Sequence, residues 1–127
     1  MKNSLLENFY TETSSTFDYA NPDAFKVQIY LNAEHPIYKG HFEQVPITPG
    51  VCQVQIIKEI LMEKFNVALQ LTESDNLKFL AMIDPRLHPE LGINFSLKKT
   101  ETTFDVNAVI SHETSTFTKF KGKFLIL

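Results

Sequence analysis

The sequence of 127 residues contains one cysteine, no tryptophan and four glycines. A lone cysteine excludes an internal disulfide framework and a cysteine-rich zinc site. The longest uninterrupted apolar run, Phe79 to Ile83, is far shorter than the ~20 residues of a spanning helix, so we expect no membrane span. There is no internal repeat, no Gly/Ser linker and no recognisable signal segment. We therefore expect a single domain over residues 1–127 in the cytoplasm.

The chain also lacks the strongly basic character of a nucleic-acid-binding protein. It has 12 basic and 15 acidic residues, a formal net charge of −3. Binding to a nucleic-acid backbone requires a strongly basic face, so we expect no nucleic-acid partner. The second part of the chain, from residue 77 onward, is mildly basic. This excess fits either a small acidic partner or an ordinary solvated surface.

Apolar and polar residues alternate in several segments, which is typical of strands with one buried face. The clearest alternation lies at 25–31, 77–83, 93–97, 104–110 and 119–127, and a weaker threonine- and tyrosine-rich segment lies at 9–17. Between the segments at 25–31 and 77–83, from Pro49 to Phe65, the apolar residues instead fall three or four apart, as on one face of a helix. The residues predicted to form this buried stripe are Val51, Val54, Ile57, Ile60, Leu61 and Phe65. Thr48 is a candidate cap, Pro49 suits the first helical position, and Asn66 is a plausible end. The sequence predicts an α+β fold in which a curved antiparallel sheet of five to six strands wraps one long central helix.

The segment between the second predicted strand and the helix is rich in residues that carry chemistry. It combines glycines, histidines and prolines in a fixed spacing: Pro36, Gly40, His41, Phe42, Pro46, Pro49 and Gly50. This pattern resembles the active-site region of the 3-hydroxyacyl-carrier-protein dehydratases, which have the hot-dog fold. The resemblance implies a hot-dog fold, an acyl carrier protein as partner, no cofactor, and a homodimer or hetero-dimer whose site forms between subunits. Dimerisation is also expected because a single curved sheet leaves exposed edges.

Dehydration of a 3-hydroxyacyl thioester requires a base near neutral pH and stabilisation of negative charge on the thioester carbonyl. The resemblance makes His41 the catalytic histidine, and an imidazole suits the role of base because its ordinary pKa is ~6.5. The alternative is that a loop histidine is structural. The free amides of Gly50 and Val51, at the positive end of the helix dipole, are the expected donors to the carbonyl oxygen.

The sequence departs from the family where the acid is expected. Related dehydratases carry Asp or Glu fourteen residues after the histidine, and this chain has Gln55 there. A carboxamide donates a hydrogen bond but cannot deliver a proton at neutral pH. Glu59 lies one turn further, on one predicted stripe of the helix with Cys52 and Gln55, and is the candidate acid. The alternative is that Glu59 is solvated or pairs with a lysine. Glu43 is a weaker substitute.

The remaining reactive residues have simpler interpretations. Cys52 lies near the helix start, where a thiol pKa can be lowered, but it would be a nucleophile only with a base beside it. A small buried filler is the favoured interpretation. His35 is expected to shape its loop, and His88 and His112 to lie at turns. The histidines show no spacing of metal ligands, so no metal is expected.

Four basic residues are candidates for contact with the acyl carrier protein that the resemblance implies: Arg86, Lys119, Lys121 and Lys123. The alternation of the three lysines predicts one exposed face of a strand. The alternative is that they protect an edge strand from aggregation.

The sequence leads to three functional hypotheses. The first is a dehydratase of fatty-acid or specialised acyl-chain biosynthesis, with His41 as base. The second is a non-catalytic hot-dog subunit that binds acyl carrier protein or pairs with an active paralogue, because Gln55 replaces the usual acid. The third is a hot-dog acyl thioesterase, which would release a free thiol instead of an enoyl thioester.

Overall fold

The alternating segments form one six-stranded antiparallel sheet, and the helical segment forms one long helix. The structure, a computed structural model, describes residues 7–39 and 46–127. The elements are β1 (Tyr10–Ser15), β2 (Ala24–Leu31), a 3-10 turn (Pro36–Tyr38), α1 (Gly50–Phe65), β3 (Leu69–Phe79), β4 (Glu90–Lys99), β5 (Thr103–His112) and β6 (Ser115–Ile126). The strand order in the sheet is β1-β2-β4-β5-β6-β3. The predicted α+β fold is confirmed.

The core lies between one face of the sheet and one face of the helix. Along β2 and β5, buried and exposed residues alternate, as the sequence pattern predicted. Their inward side chains join the buried helix residues Ile56, Ile57, Ile60 and Leu61 in one hydrophobic cluster. The helix thus lies against the sheet because both elements have a single apolar face to bury.

The end of the helix follows the prediction. Asn66 adopts a left-handed backbone conformation (φ 53°), and its N–H donates to the carbonyl of Met62. Asparagine tolerates this conformation better than most residues, so it ends the helix at low cost. The chain then enters β3, an edge strand.

The predicted strand over 77–83 is wrong in its second half. β3 starts earlier, at Leu69, and ends at Phe79. Beyond it the Leu80 and Ala81 amides both donate to the carbonyl of Phe117, and the Ile83 carbonyl accepts from the Thr48 amide. Because of these bonds, the chain after Phe79 leaves the regular strand pairing and contacts the segment that precedes the helix. Two register irregularities within β3 also break the alternation, which leaves Phe79 half exposed.

The two edges of the sheet are β1 and β3, whereas β6 lies between β5 and β3. The lysines of β6 therefore do not protect an edge strand, and that alternative is wrong. Within the described ranges, no helix is both long and apolar enough to cross a membrane.

Candidate active site

The start of α1 presents two backbone amides that are free to bind a ligand. The Cys52 and Gln53 amides both donate to the carbonyl of Pro49, at 3.0 and 3.1 Å. Among residues 7–39 and 46–127, no acceptor lies within hydrogen-bonding distance of the Gly50 and Val51 amides. Because the helix dipole places partial positive charge here, this end of α1 favours an oxygen that carries negative charge.

The predicted cap of this helix is wrong. Pro49, with extended backbone (φ −61°, ψ 145°), occupies the cap position, and its own side chain makes no capping hydrogen bond. The Thr48 hydroxyl lies instead 2.9 Å from the Tyr38 hydroxyl, in the protein interior. Burial raises the pKa of Tyr38 to about 12, although the bond to Thr48 opposes that shift. The free amides therefore remain available because Thr48 is bonded elsewhere.

A chain of buried polar groups fixes the start of the helix. The Gln53 amide nitrogen donates to the carbonyl of Thr48 at 3.1 Å, and its amide oxygen accepts from the Thr118 hydroxyl on β6. Gln53, Thr48 and Thr118 are all buried. Their bonds tie the segment that enters α1 to the sheet. The sequence signals the role of Gln53 only weakly, through a polar residue placed beside the apolar helix face.

A cleft of about 480 Å³ opens at this end of the helix. Its walls are residues 47–51 and 79–82. Val51, Leu80 and Met82 are strongly exposed around it, at 78%, 53% and 73% of their surfaces. Val51 was predicted to lie on the buried stripe of the helix, and that prediction is wrong. The cleft therefore has an apolar rim with two free amides inside it.

The Phe79 ring lies directly against Gly50. A Cβ atom added at Gly50 would come within 2.5 Å of Phe79 Cζ, so any other residue would displace the ring. The absent side chain thus allows close approach to the first amide of the helix. In this structure the edge of the ring takes up that space.

Gln55 and Glu59 are hydrogen-bonded to each other on the half-buried side of the helix. The Gln55 amide nitrogen donates to one Glu59 carboxylate oxygen at 3.1 Å, and the Tyr10 hydroxyl donates to the other at 3.2 Å. Burial, followed by the nearby Glu59 charge, raises the pKa of Tyr10 well above its ordinary value. Glu59 therefore accepts hydrogen bonds from an amide and from a phenol. The sequence carries no local signal for the role of Tyr10, because no periodic pattern links β1 to the helix.

Cys52 points into the core and is 4% exposed. Burial raises the pKa of its thiol. Both observations favour a packing role, since a reactive cysteine has an accessible thiol with a lowered pKa. Cys52 is thus separated from the half-buried pair Gln55 and Glu59, with which it was predicted to share one stripe.

His41 and Glu43 lie outside the described residues, as does Gly40. His35 shapes its loop as predicted: its Nδ1 accepts from the Ile37 amide at 3.1 Å. His88 follows the turn before β4, and His112 is the last residue of β5. Their ring centroids lie 5.2 Å apart. Among the residues that the structure describes, no group of three or more metal-ligating side chains lies together.

The four basic candidates differ in their surroundings. Arg86 makes a two-point contact with Asp84, with N–O distances of 3.3 and 3.2 Å. Burial opposes the charge on Asp84, but its bonds to Arg86 outweigh this and lower the pKa of the carboxyl. Lys123 lies 3.9 Å from Asp105. The exposed Lys119 and Lys121 lie on the outer face of β6.

The comparisons with known proteins agree with this architecture. The ApeI-like family model, described as ApeI dehydratase, matches residues 18–120, which is most of the chain. The chain belongs to the ApeI-like dehydratase family. A search of curated proteins gave no match.

Solved structures share the fold of this ApeI-like chain. The dehydratase heterocomplex ApeI:P from Xenorhabdus doucetiae matches with a TM-score of 0.70 and 16% identity, covering 91% of this chain and 96% of that one. An uncharacterized protein from Erwinia carotovora subsp. atroseptica matches with a TM-score of 0.64 and 17% identity, over 93% and 95%. A hypothetical thioesterase with coenzyme A from Streptococcus pneumoniae matches with a TM-score of 0.65 and 12% identity, over 96% and 90%. At these identities the likeness shows the fold alone, and it is the hot-dog fold.

Proposed function

We propose that this protein eliminates water from a 3-hydroxyacyl thioester. The observation that carries the proposal is the pair of free amides, Gly50 and Val51, at the start of a helix that opens into an apolar-rimmed cleft. Membership of the ApeI-like dehydratase family supports the reaction class. The sequence motif that contains His41 leads directly into that helix start.

The proposed reaction needs three functions from the protein. His41 takes a proton from C2, and the electron pair left there is delocalised onto the thioester carbonyl. The Gly50 and Val51 amides stabilise the resulting oxyanion. The C3–O bond then breaks, a C2=C3 double bond forms, and the departing hydroxyl takes the proton from the His41 imidazolium to leave as water.

We propose an acyl carrier protein as the donor of the substrate, in fatty-acid or specialised acyl-chain biosynthesis. Lys119 and Lys121 project from the outer face of β6, and Lys78 on β3 is paired in register with Lys119. Like charges directly opposite on neighbouring strands are destabilising, which supports a negatively charged partner at this place. Phe79, the next residue along β3, lines the cleft, so the same end of β3 carries the paired lysines and one wall of the cleft. Arg86 and Lys123, with acidic neighbours of their own, contribute less.

We further propose that the protein works as a dimer, as a homodimer or with a hot-dog paralogue. The edge strand β3 exposes most of its residues from Thr72 to Phe79 and is available for pairing. The structural match to a dehydratase heterocomplex supports a second subunit of the same fold. Size measurement by light scattering, for the chain alone and after co-expression with a paralogue, tests this. A monomer under both conditions contradicts it.

The function is tested by incubating the purified protein with a 3-hydroxyacyl pantetheine thioester and following both enoyl product and free thiol. Enoyl formation that is lost in His41→Ala and kept in His112→Ala supports the proposal. His112 is the matched control because its ring is already hydrogen-bonded to the backbone carbonyl of Glu90. A rate unaffected by His41→Ala contradicts the assignment of the base.

Two other outcomes identify the alternatives. Free thiol without enoyl product identifies a thioesterase, an activity named for one structural neighbour. Binding of acylated carrier protein without turnover identifies a non-catalytic subunit, the alternative favoured by Gln55 in place of the usual acid.

A further inference from the structure

The contacts of Glu59 favour a role other than proton donor. One carboxylate oxygen accepts a hydrogen bond from the Tyr10 hydroxyl, and the other accepts one from the Gln55 amide. Both oxygens are therefore engaged within the protein, whereas a proton donor must present an oxygen to the substrate.

Tyr10 is a permanent donor in this arrangement. Its pKa is raised by burial and then by the Glu59 charge, so the phenol keeps its proton throughout the range of an enzyme assay. Tyr10 comes from β1 and Glu59 from α1, so the bond joins the helix to an edge of the sheet. It holds the carboxylate in one place.

The carboxylate in turn determines the orientation of the Gln55 amide. A carboxylate only accepts hydrogen bonds, so Gln55 must direct its NH₂ group, and not its carbonyl, toward Glu59. Among the described residues, no other partner lies at the Gln55 amide. One N–H and the carbonyl oxygen of Gln55 therefore remain available in a fixed direction.

Gln55 also lies on the side of the helix that leads to the cleft. Val51, Gln55 and Glu59 are four residues apart and share one stripe of α1. Val51 lines the cleft and carries one of the two free amides. Gln55 is one turn beyond it, about 6 Å along the helix axis.

We propose that Gln55 donates its free N–H to the 3-hydroxyl of the substrate, and that Glu59 and Tyr10 are positioning residues that hold the Gln55 amide for this contact. The inference rests on the proposed dehydration. Gln55 stabilises the departing oxygen by a hydrogen bond only. The proton that completes the water molecule still comes from the His41 imidazolium, so no carboxylic acid is required.

Steady-state kinetics over a range of pH tests the roles. Glu59→Gln is expected to lower kcat about ten- to hundredfold, the value of a hydrogen bond to a charged group, with KM changed less than about twofold. Its pH profile is expected to keep the limbs of the original protein, because in the proposed reaction the proton is carried by His41. Tyr10→Phe keeps the Gln55–Glu59 bond and lowers kcat only a few-fold. The control Glu101→Gln makes the same chemical change at an exposed position between β4 and β5 and leaves kcat unchanged.

Two kinetic results overturn the proposal. If Glu59→Gln removes the high-pH limb of the kcat profile, Glu59 is the acid and not a positioning residue. If the substitution raises KM and leaves kcat unchanged, the pair serves ground-state binding.

A second measurement separates this proposal from the proposed function. In ¹⁵N-labelled protein, the Gln55 side-chain amide signals are expected to shift in Glu59→Gln and, in the original protein, on addition of a non-hydrolysable 3-hydroxyacyl pantetheine amide. If the protein shows no turnover, the proposed function fails, and the amide signals still decide the role of Gln55. Signals that stay in place under both changes overturn it.

Discussion

The buried Gln53 permits the sharpest test of how the helix start is held in place. Substitution Gln53→Leu keeps the side-chain size but leaves the Thr118 hydroxyl and the Thr48 carbonyl without their partner in the protein interior. Each buried group left without a partner costs about 1–3 kcal/mol, so we expect a loss of about 3 kcal/mol in the free energy of unfolding. In a domain of this size that lowers the melting temperature on the order of 10 °C.

Urea denaturation followed by circular dichroism measures this effect. The control is Gln70→Leu, the same chemical change at an exposed position of β3, which is expected to stay within about 0.5 kcal/mol. The double substitution Gln53→Leu with Thr118→Val also removes the hydroxyl that Gln53→Leu leaves without a partner. It is expected to recover about 1 kcal/mol or more of the lost free energy of unfolding. A loss below about 0.5 kcal/mol for Gln53→Leu, or no recovery in the double variant, refutes the reasoning.

Three further predictions follow from other contacts. Gly50→Ala displaces the Phe79 ring, so we expect activity to fall and to recover in part with Phe79→Ala added; an activity unchanged by Gly50→Ala would show that the ring contact is irrelevant. Asn66→Ala is expected to cost about 1 kcal/mol in urea denaturation because of the left-handed backbone, whereas Asn66→Gly costs nothing; equal losses would contradict the conformational argument. The lowered pKa of Asp84 stabilises the fold above the ordinary pKa of about 3.9, and this stability is lost as the pH falls below it. In Arg86→Gln, the free energy of unfolding should therefore decrease less between about pH 5 and 3 than in the original protein. An unchanged dependence of this free energy on pH would show that the ion pair does not contribute to stability.

The strands and the helix were predictable where one face of an element is buried. Alternation placed β2, β4 and β5 correctly, and the apolar spacing placed α1 to within a residue. Burial of one face imposes a period of two residues on a strand and of about 3.6 residues on a helix. These elements can therefore be predicted from the local pattern of apolar residues. The motif around Pro49 and Gly50 likewise led to the correct fold and to a dehydratase family.

The failures have a common physical cause, which is contact between segments distant in sequence. The strand predicted at 77–83 extends too far because the Leu80 and Ala81 amides both donate to the Phe117 carbonyl, which ends the regular pairing after Phe79. Thr48 was assigned as a cap because nothing local reveals its bond to Tyr38. The pairing of Tyr10 with Glu59 spans 49 residues and leaves no periodic signal.

The strand order has a consequence for how the chain reaches this structure. β4, β5 and β6 are neighbours in sequence as well as in the sheet, so each can pair with the next after closure of a short loop. β2 instead pairs with β4, whose first residue lies about 60 residues after the end of β2 in the sequence. Closing so large a loop costs entropy before any contact repays it, which slows the search for the native pairing. During synthesis on the ribosome, the first two strands therefore emerge long before their partner exists, and docking of the amino-terminal hairpin is a late event.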